Sequence, residues 1–331
     1  MSNNYQNIEN EKLINTSIED ILNKYEYNKT EKYNLLPYLK YIEYAKEGFL
    51  FNKINYNKTN IPKISIIISL YNREQYIKLT LSSIQNQDFS DIEIIIVDDF
   101  SADNSSKYVK EFHIEDPRII LLKNKENMGS LYSKSIGVLY AKGEYIQSLD
   151  SDDMLCNQKY LSLVYDEATK GNYDFIESKA LYINEKKKTI GYRYPFWVVL
   201  WSKLVKKELY LKSIFNVGIN VLKMKVKILD DDIIALTLFL GKKLKKLNIL
   251  GVAHFTRLSE HIYLKTVTNI KDAKKLCRNL LNTIKAFYAF NNPLSFKYGK
   301  FLFDYHFLRG ICKYRVDLEE IVEFNKTINK N

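Results

Sequence analysis

Between residues 64 and 153 the chain alternates two apolar patterns. ISIIISLYN, IEIIIVDDFS, RIILLKN and EYIQSLDSDD each begin as a short, nearly continuous apolar run, rich in β-branched residues. Runs of this kind predict strands buried on both faces. Between them the apolar residues recur three and four apart. REQYIKLTLSSIQNQ puts Tyr76, Leu79, Thr80, Ser83 and Ile84 at helical spacing. SADNSSKYVKEFHI reads as a capped helix, with an Asp or Ser101 at its N-cap. NMGSLYSKSIGVLYAKG reads as a loop and a helix closed by Gly143 as C-cap. The order β-α-β-α-β-α-β predicts a mostly parallel sheet with helices on both faces, an α/β fold.

The pattern is less regular on either side. In residues 1–60, SIEDILNKYEY opens with Ser17 and Asp20 in a capping-box-like start. LLPYLKYIEYAKEGFLF follows at helical spacing, with Pro37 in its first turn. NKINYNKTNIP reads as a linker. After Asp153, KYLSLVYDEATKG predicts a helix and YDFIESKALYIN a strand. PFWVVLWSKLVKKELYLKSIF is mixed and aromatic, and ILDDDIIAL runs from an acidic turn into an apolar helix. Residues 266–331 read as basic helices. The division expected is a helical accessory segment (1–60), one α/β domain (61–265) and a helical C-terminal segment (266–331).

Composition adds little but excludes some classes. The 331 residues are 46% hydrophobic and 27% charged, as in a globular protein. The net charge of +11 favours anionic partners such as nucleotide phosphates or an acidic membrane surface. Abundant Tyr, Lys, Asn and Ile with scarce Gly and Pro suggest a coding bias, which weakens both charge and Tyr richness as signals. Cys156, Cys277 and Cys312 lack metal-ligand spacing and read as free thiols in a reducing compartment. The polar N-terminus and the lack of an 18-residue apolar run predict a cytoplasmic protein with no transmembrane helix.

The candidate chemistry sits where strands end. In parallel α/β sheets ligands bind beyond the carboxyl ends of the strands. Tyr71-Asn72, Asp98-Asp99, Asn127, and Asp150 to Asp153 each follow a strand and should gather along one rim. Crowded carboxylates repel unless a positive group sits among them. Asp150-Ser151-Asp152 could hold a divalent cation that bridges phosphate oxygens, or it could be a solvated acidic turn. Asp98 and Asp99 could accept from a base or ribose, or cap the next helix. Tyr71 could stack on a base. Lys134 is placed to meet a phosphate. Asp230, Asp231 and Asp232 precede a helix and offer a general base. In GVAHFTRLSEH, His254 could be a third metal ligand or a pyrophosphate contact, and Arg257 could bind phosphate.

Taken together, ISIIISLYNREQYIKLTLSSIQNQDFSDIEIIIVDDFSADNS, DPRIILLKNKENMGS, AKGEYIQSLDSDD and LDDD resemble the family 2 glycosyltransferases of GT-A fold. The resemblance is strong over about residues 63–185 and loose to about 262. It implies an inverting, Mn²⁺- or Mg²⁺-dependent transfer from a nucleotide-diphosphate sugar, often UDP-linked. It implies Ser69, Tyr71, Asp99 and Asn127 near the nucleotide, and Asp150 and Asp152 at ribose and metal. Asp231, with Asp232 close behind, would be the base. The chain departs from the family pattern at Ser69, usually Pro; at Phe100, usually Gly; and at Lys134-Ser135, usually Arg-Asn. Lysine keeps the charge but loses the bidentate fork.

The partners expected are a nucleotide-sugar donor and a glycan, lipid-linked or protein acceptor, with no nucleic acid. Whether the chain forms a homodimer stays open. So does the role of the basic C-terminal helices, which could touch an anionic membrane or simply pack with a solvated lysine face. The alternative is a catalytically silent GT-A domain that binds a nucleotide-sugar or acts as a scaffold. Nucleotidyl transfer is a third reading, but SLYNREQY lacks the glycines of a phosphate loop.

Overall fold

The β-branched runs pair side by side, as strands apolar on both faces must. A computed structural model describes residues 61–184, 189–193, 199–226, 230–238, 243–256, 281–286 and 289. The readings for 1–60 and for nearly all of 266–331 lie outside these residues. Strands β1 (Ile64–Leu70), β2 (Ile92–Asp98), β3 (Ile119–Lys123) and β4 (Tyr145–Asp150) form a parallel block in the order β3-β2-β1-β4. Helices α1 (Ile77–Gln85), α2 (Ser105–Glu115) and α3 (Ser130–Tyr140) connect them.

Strand alternation sorts the core into two layers. Ile64, Ile66 and Ile68 point to one face, where Leu81 of α1 and Val109 of α2 pack. Ile67, Ile95 and Val97 point to the other, against Leu131 and Ile136 of α3. Full burial of such a side chain contributes about 1.5–3 kcal/mol, so these strands anchor the domain. Helix α3 is enclosed on all sides. Every residue from Leu131 to Leu139 is buried, including Lys134.

The second half adds β5 (Met154–Leu155), α4 (Tyr160–Lys170), β6 (Phe175–Asn184), β7 (Thr189–Arg193) and β8 (Lys203–Lys206). After these come α5 (Lys207–Val217), α6 (Ile219–Leu222), α7 (Asp230–Leu238) and β9 (Leu244–Thr256). The sheet continues from β4 as β8-β6-β9-β5, with β7 paired to β6. Here β4-β8, β8-β6, β9-β5 and β6-β7 are antiparallel and β6-β9 is parallel. The expected parallel order therefore describes the first four strands, and the later half makes the sheet mixed. The mixed aromatic segment resolves into β8 and α5. Helix α3 is covered by α5 and α7 on the side away from the sheet.

Gly143 does not cap α3. The helix ends at Tyr140, and Ala141 is already extended. The Gly143 amide instead donates to Ser65 Oγ at 2.8 Å and to Glu93 Oε1 at 3.2 Å. A Cβ at Gly143 would lie 2.6 Å from the Ser65 nitrogen, so close backbone approach requires glycine there. Among the described residues no helix is long and apolar enough to cross a membrane.

Candidate functional site

Register brings the strand-end residues together. Ser69 of β1 lies opposite Asp150 of β4 and Val97 of β2, and Leu70 lies opposite Asp98. The loops leaving β1, β2 and β4 therefore share one edge of the sheet. Tyr71 stands half exposed there (46%), as does Phe100 (52%).

The two Asp residues leaving β2 turn inward. Asp98 Oδ1 accepts from the Ser101 amide at 2.8 Å, and Oδ2 accepts from the Ser106 hydroxyl and lies 3.5 Å from Lys123 Nζ. Asp98 thus ties down the start of α2. The N-cap itself is Asn104, without a side-chain cap bond, rather than Ser101. Asp99 Oδ1 accepts from Asn124 Nδ2 at 2.8 Å and the Met128 amide at 2.7 Å, and Oδ2 accepts from the Gly129 amide at 2.9 Å. Asn127 Nδ2 donates to the Asp99 carbonyl at 3.2 Å. Asp99 therefore organises the loop that opens α3. Gly129 is required in that loop: its φ is +92°, and a Cβ would lie 2.2 Å from the Val226 carbonyl oxygen. Phe100 holds a φ of 68°, a left-handed conformation that disfavours side chains. This accounts for the glycine usual at that place in the resemblance.

The turn after β4 spreads its carboxylates in different directions. Asp150 is about a third exposed (32%), and its Oδ1 lies 3.3 Å from Lys134 Nζ. The same Nζ donates to Asp231 Oδ1 at 2.9 Å. Lys134 on α3 thus bridges Asp150, after β4, and the first helical turn of α7. Asp231 Oδ2 accepts from the Leu200 amide at 2.9 Å. These two bonds orient the Asp231 carboxylate. Asp152 Oδ2 accepts from Arg73 Nε at 3.0 Å. Ser151 is buried, and its carbonyl accepts from Thr80 Oγ1 at 3.1 Å.

Asp153 is buried and meets His254 of β9, whose Nδ1 lies 2.8 Å from Oδ2. The imidazole stacks on Trp201, with centroids 4.6 Å apart and planes 10° from parallel. Burial pushes the Asp153 carboxyl up to about 7, with His254 opposing. Burial also works against the His254 cation, but the Asp153 carboxylate reverses this and raises its pKa to about 9. The pair ties the acidic turn to β9. His254 was expected as a third metal ligand beside Asp150 and Asp152. Its Nδ1 lies against Asp153, so a metal contact would go through Nε2, as in a histidine oriented by a carboxylate.

Asp150 and Asp152 still fit a hard divalent ion. Both are partly exposed, with side-chain exposures of 32% and 18%, and both offer carboxylate oxygens. Mg²⁺ and its relatives are commonly held by one or two carboxylates, with water and substrate phosphates completing the shell. Sequence reasoning missed Arg73, Asn124 and the turn at 199–202. A cation directly after β1, on the same rim as the acidic turn, was the available signal for Arg73. Arg257 and the side chain of Asp232 lie outside the described residues.

Comparisons with known proteins identify the family and the fold. Residues 65–230 match the model of glycosyl transferase family 2, half of the chain. A glycosyltransferase of Haemophilus influenzae is 36% identical over 124 residues, which is 36% of this chain and 50% of that protein. The GalNAc(5)-diNAcBac-PP-undecaprenol beta-1,3-glucosyltransferase of Campylobacter jejuni is 37% identical over 112 residues, 34% of this chain and 36% of that protein. The chain thus spans half or less of the length of these relatives. S. aureus TarS, solved in complex with UDP, superposes with a TM-score of 0.55 at 17% identity, covering 79% of this chain and 78% of that one. At that identity the likeness speaks for the fold, which is GT-A-like. The chain belongs to glycosyl transferase family 2.

Proposed function

We propose that this family 2 glycosyl transferase moves a sugar from a UDP-linked donor to an acceptor hydroxyl, with inversion at the anomeric carbon. The observation that carries the reading is the single ammonium of Lys134. It lies 3.3 Å from Asp150 and 2.9 Å from Asp231, so a donor-side carboxylate and a candidate base face one another across one side chain. TarS, a fold neighbour, is solved with UDP-GlcNAc, which supports a UDP-sugar as donor.

In this reading Asp231 accepts the proton of the acceptor hydroxyl. The acceptor oxygen forms its bond to the anomeric carbon as the bond to the diphosphate oxygen breaks, and the electron pair leaves with UDP. The Leu200 amide and Lys134 hold Asp231 in place for that attack. Asp150 and Asp152 would hold Mn²⁺ or Mg²⁺, which when bound supplies neutralisation of the leaving diphosphate. Arg73 orients Asp152. Tyr71, exposed on the rim, offers a face for the base, and Ser69, Asp99 and Asn127 border the same rim. Asp98 serves it indirectly, by fixing the start of α2. The transfer domain is residues 61–265.

A thermal-shift screen of nucleotide-sugars with and without Mn²⁺ tests this, because a ligand that binds only the folded state raises its stability. We expect stabilisation by a UDP-sugar that depends on Mn²⁺, and loss of UDP release in Asp231→Asn. Failure of every nucleotide-sugar to stabilise the chain would overturn the reading and leave a scaffold domain.

A further inference from the structure

One buried charge pair has no part in the chemistry above. Lys203 on β8 and Glu177 on β6 are register partners across antiparallel strands. Their side chains are 2% and 3% exposed, with Nζ 2.9 Å from Oε1. Glu177 also meets Lys246 at 3.1 Å. Such a pair adds little stability on its own, because desolvation offsets the attraction.

The hydrogen bonds of Lys203 give it a direction. Its Nζ donates to the Val199 carbonyl at 2.5 Å. The next amide, of Leu200, donates to Asp231 Oδ2 at 2.9 Å. One peptide unit therefore has its oxygen on a buried ammonium and its N–H on the carboxylate assigned as base. A carbonyl bound by a cation polarises its peptide, and the N–H becomes a stronger donor. The rest of the turn is pinned independently. The Trp201 carbonyl accepts from Gln147 Nε2 at 2.8 Å, and the Ser202 carbonyl accepts from the Ser178 amide at 3.1 Å. Those bonds fix where the turn sits, while the Lys203 bond sets how the Val199–Leu200 peptide is rotated.

We propose that Lys203, held by Glu177, is a positioning residue for sugar transfer. It fixes the Val199–Leu200 peptide and, through it, aims Asp231 at the acceptor. The inference rests on the reading of Asp231 as base.

Lys203→Met tests it, with UDP release followed from the UDP-sugar that stabilises the protein in the screen above. Misplacing a catalytic group by about 1 Å lowers the rate roughly 10²-fold. We expect a fall of about that size in kcat with donor KM unchanged. In Asp231→Asn the same change should add nothing further. Amide hydrogen exchange supplies a readout that needs no substrate: Leu200 should lose protection while Val205 of β8 keeps it. If Lys203→Met does not fold, Lys203→Met/Glu177→Leu removes both buried charges together and carries the same expectations. Normal kcat, or unchanged protection at Leu200, overturns the inference. So does a fall in kcat that multiplies with that of Asp231→Asn. Wild-type turnover in Asp231→Asn would instead remove the base assignment, whatever Lys203→Met does.

Discussion

Replacing Lys134 by Met removes an ammonium while keeping the length and bulk of the side chain. In the wild type that ammonium is 6% exposed and sits 2.9 Å from Asp231 and 3.3 Å from Asp150. At an effective dielectric of about 20, each contact amounts to roughly 5 kcal/mol of attraction. Desolvation of three charges offsets much of it. The variant keeps that desolvation for two carboxylates and loses the attraction. Removing one partner of a buried pair costs about 3–5 kcal/mol. Asp150 is 32% exposed and Asp231 14%, so water recovers part of the loss. The net cost is then about 2–4 kcal/mol, or on the order of 5–10 °C in Tm for a domain of this size. Differential scanning calorimetry at pH 7 measures it. Lys134→Met/Asp231→Asn should recover much of the loss, because the remaining amide is neutral. A single variant that melts within about 2 °C of wild type, less than the shift expected for 1 kcal/mol, would refute the bridge. So would a double variant that recovers nothing.

Three further expectations follow from the same geometry. Asp152→Ala should abolish the Mn²⁺-dependent part of UDP stabilisation and leave the metal-free shift in place; an undiminished Mn²⁺ effect in a thermal-shift titration would take Asp152 out of the metal site. Phe100→Gly relieves a φ of 68°, which costs a side-chain-bearing residue about 1–2 kcal/mol. Its Tm should rise by a few degrees, and a lower Tm would count against stored strain there. Asp153 and His254 both bind their protons more tightly in the folded chain, at about 7 against 3.8 and about 9 against 6.5. Their contribution is therefore full below about 3.8 and is lost as pH rises from there through about 7 and then about 9. The stability of wild type relative to His254→Gln/Asp153→Asn should fall steadily over that range in a series of pH-dependent melts, and a rising difference would reverse the assignment.

The first half of the fold is legible in the order of residues alone. Four β-branched runs and the helical spacing between them specify a parallel block, because burial of apolar faces has a period that can be read locally. The same order places Tyr71, Asp98-Asp99 and Asp150–Asp153 at strand ends, and hence on one rim. It also marked Asp231, since an acidic turn before an apolar helix is a local signal.

Which of these charges face one another depends on packing between distant parts of the chain. Lys134 and Asp231 are 97 residues apart, Arg73 and Asp152 are 79 apart, and Asp153 and His254 are 101 apart. No periodicity links such positions. Their meeting depends on α7 packing against α3, on β1 lying beside β4, and on β9 pairing with β5. Local reading therefore offered Lys134 to a phosphate and His254 to a metal without the carboxylates that each one meets. It offered Asp98-Asp99 as a cap of the next helix but could not see that Asp99 holds the loop before α3. A charge adopts the partner that the packed chain brings within about 3 Å of it, because a buried charge left unpaired is too costly to keep. That choice belongs to the arrangement of the whole sheet.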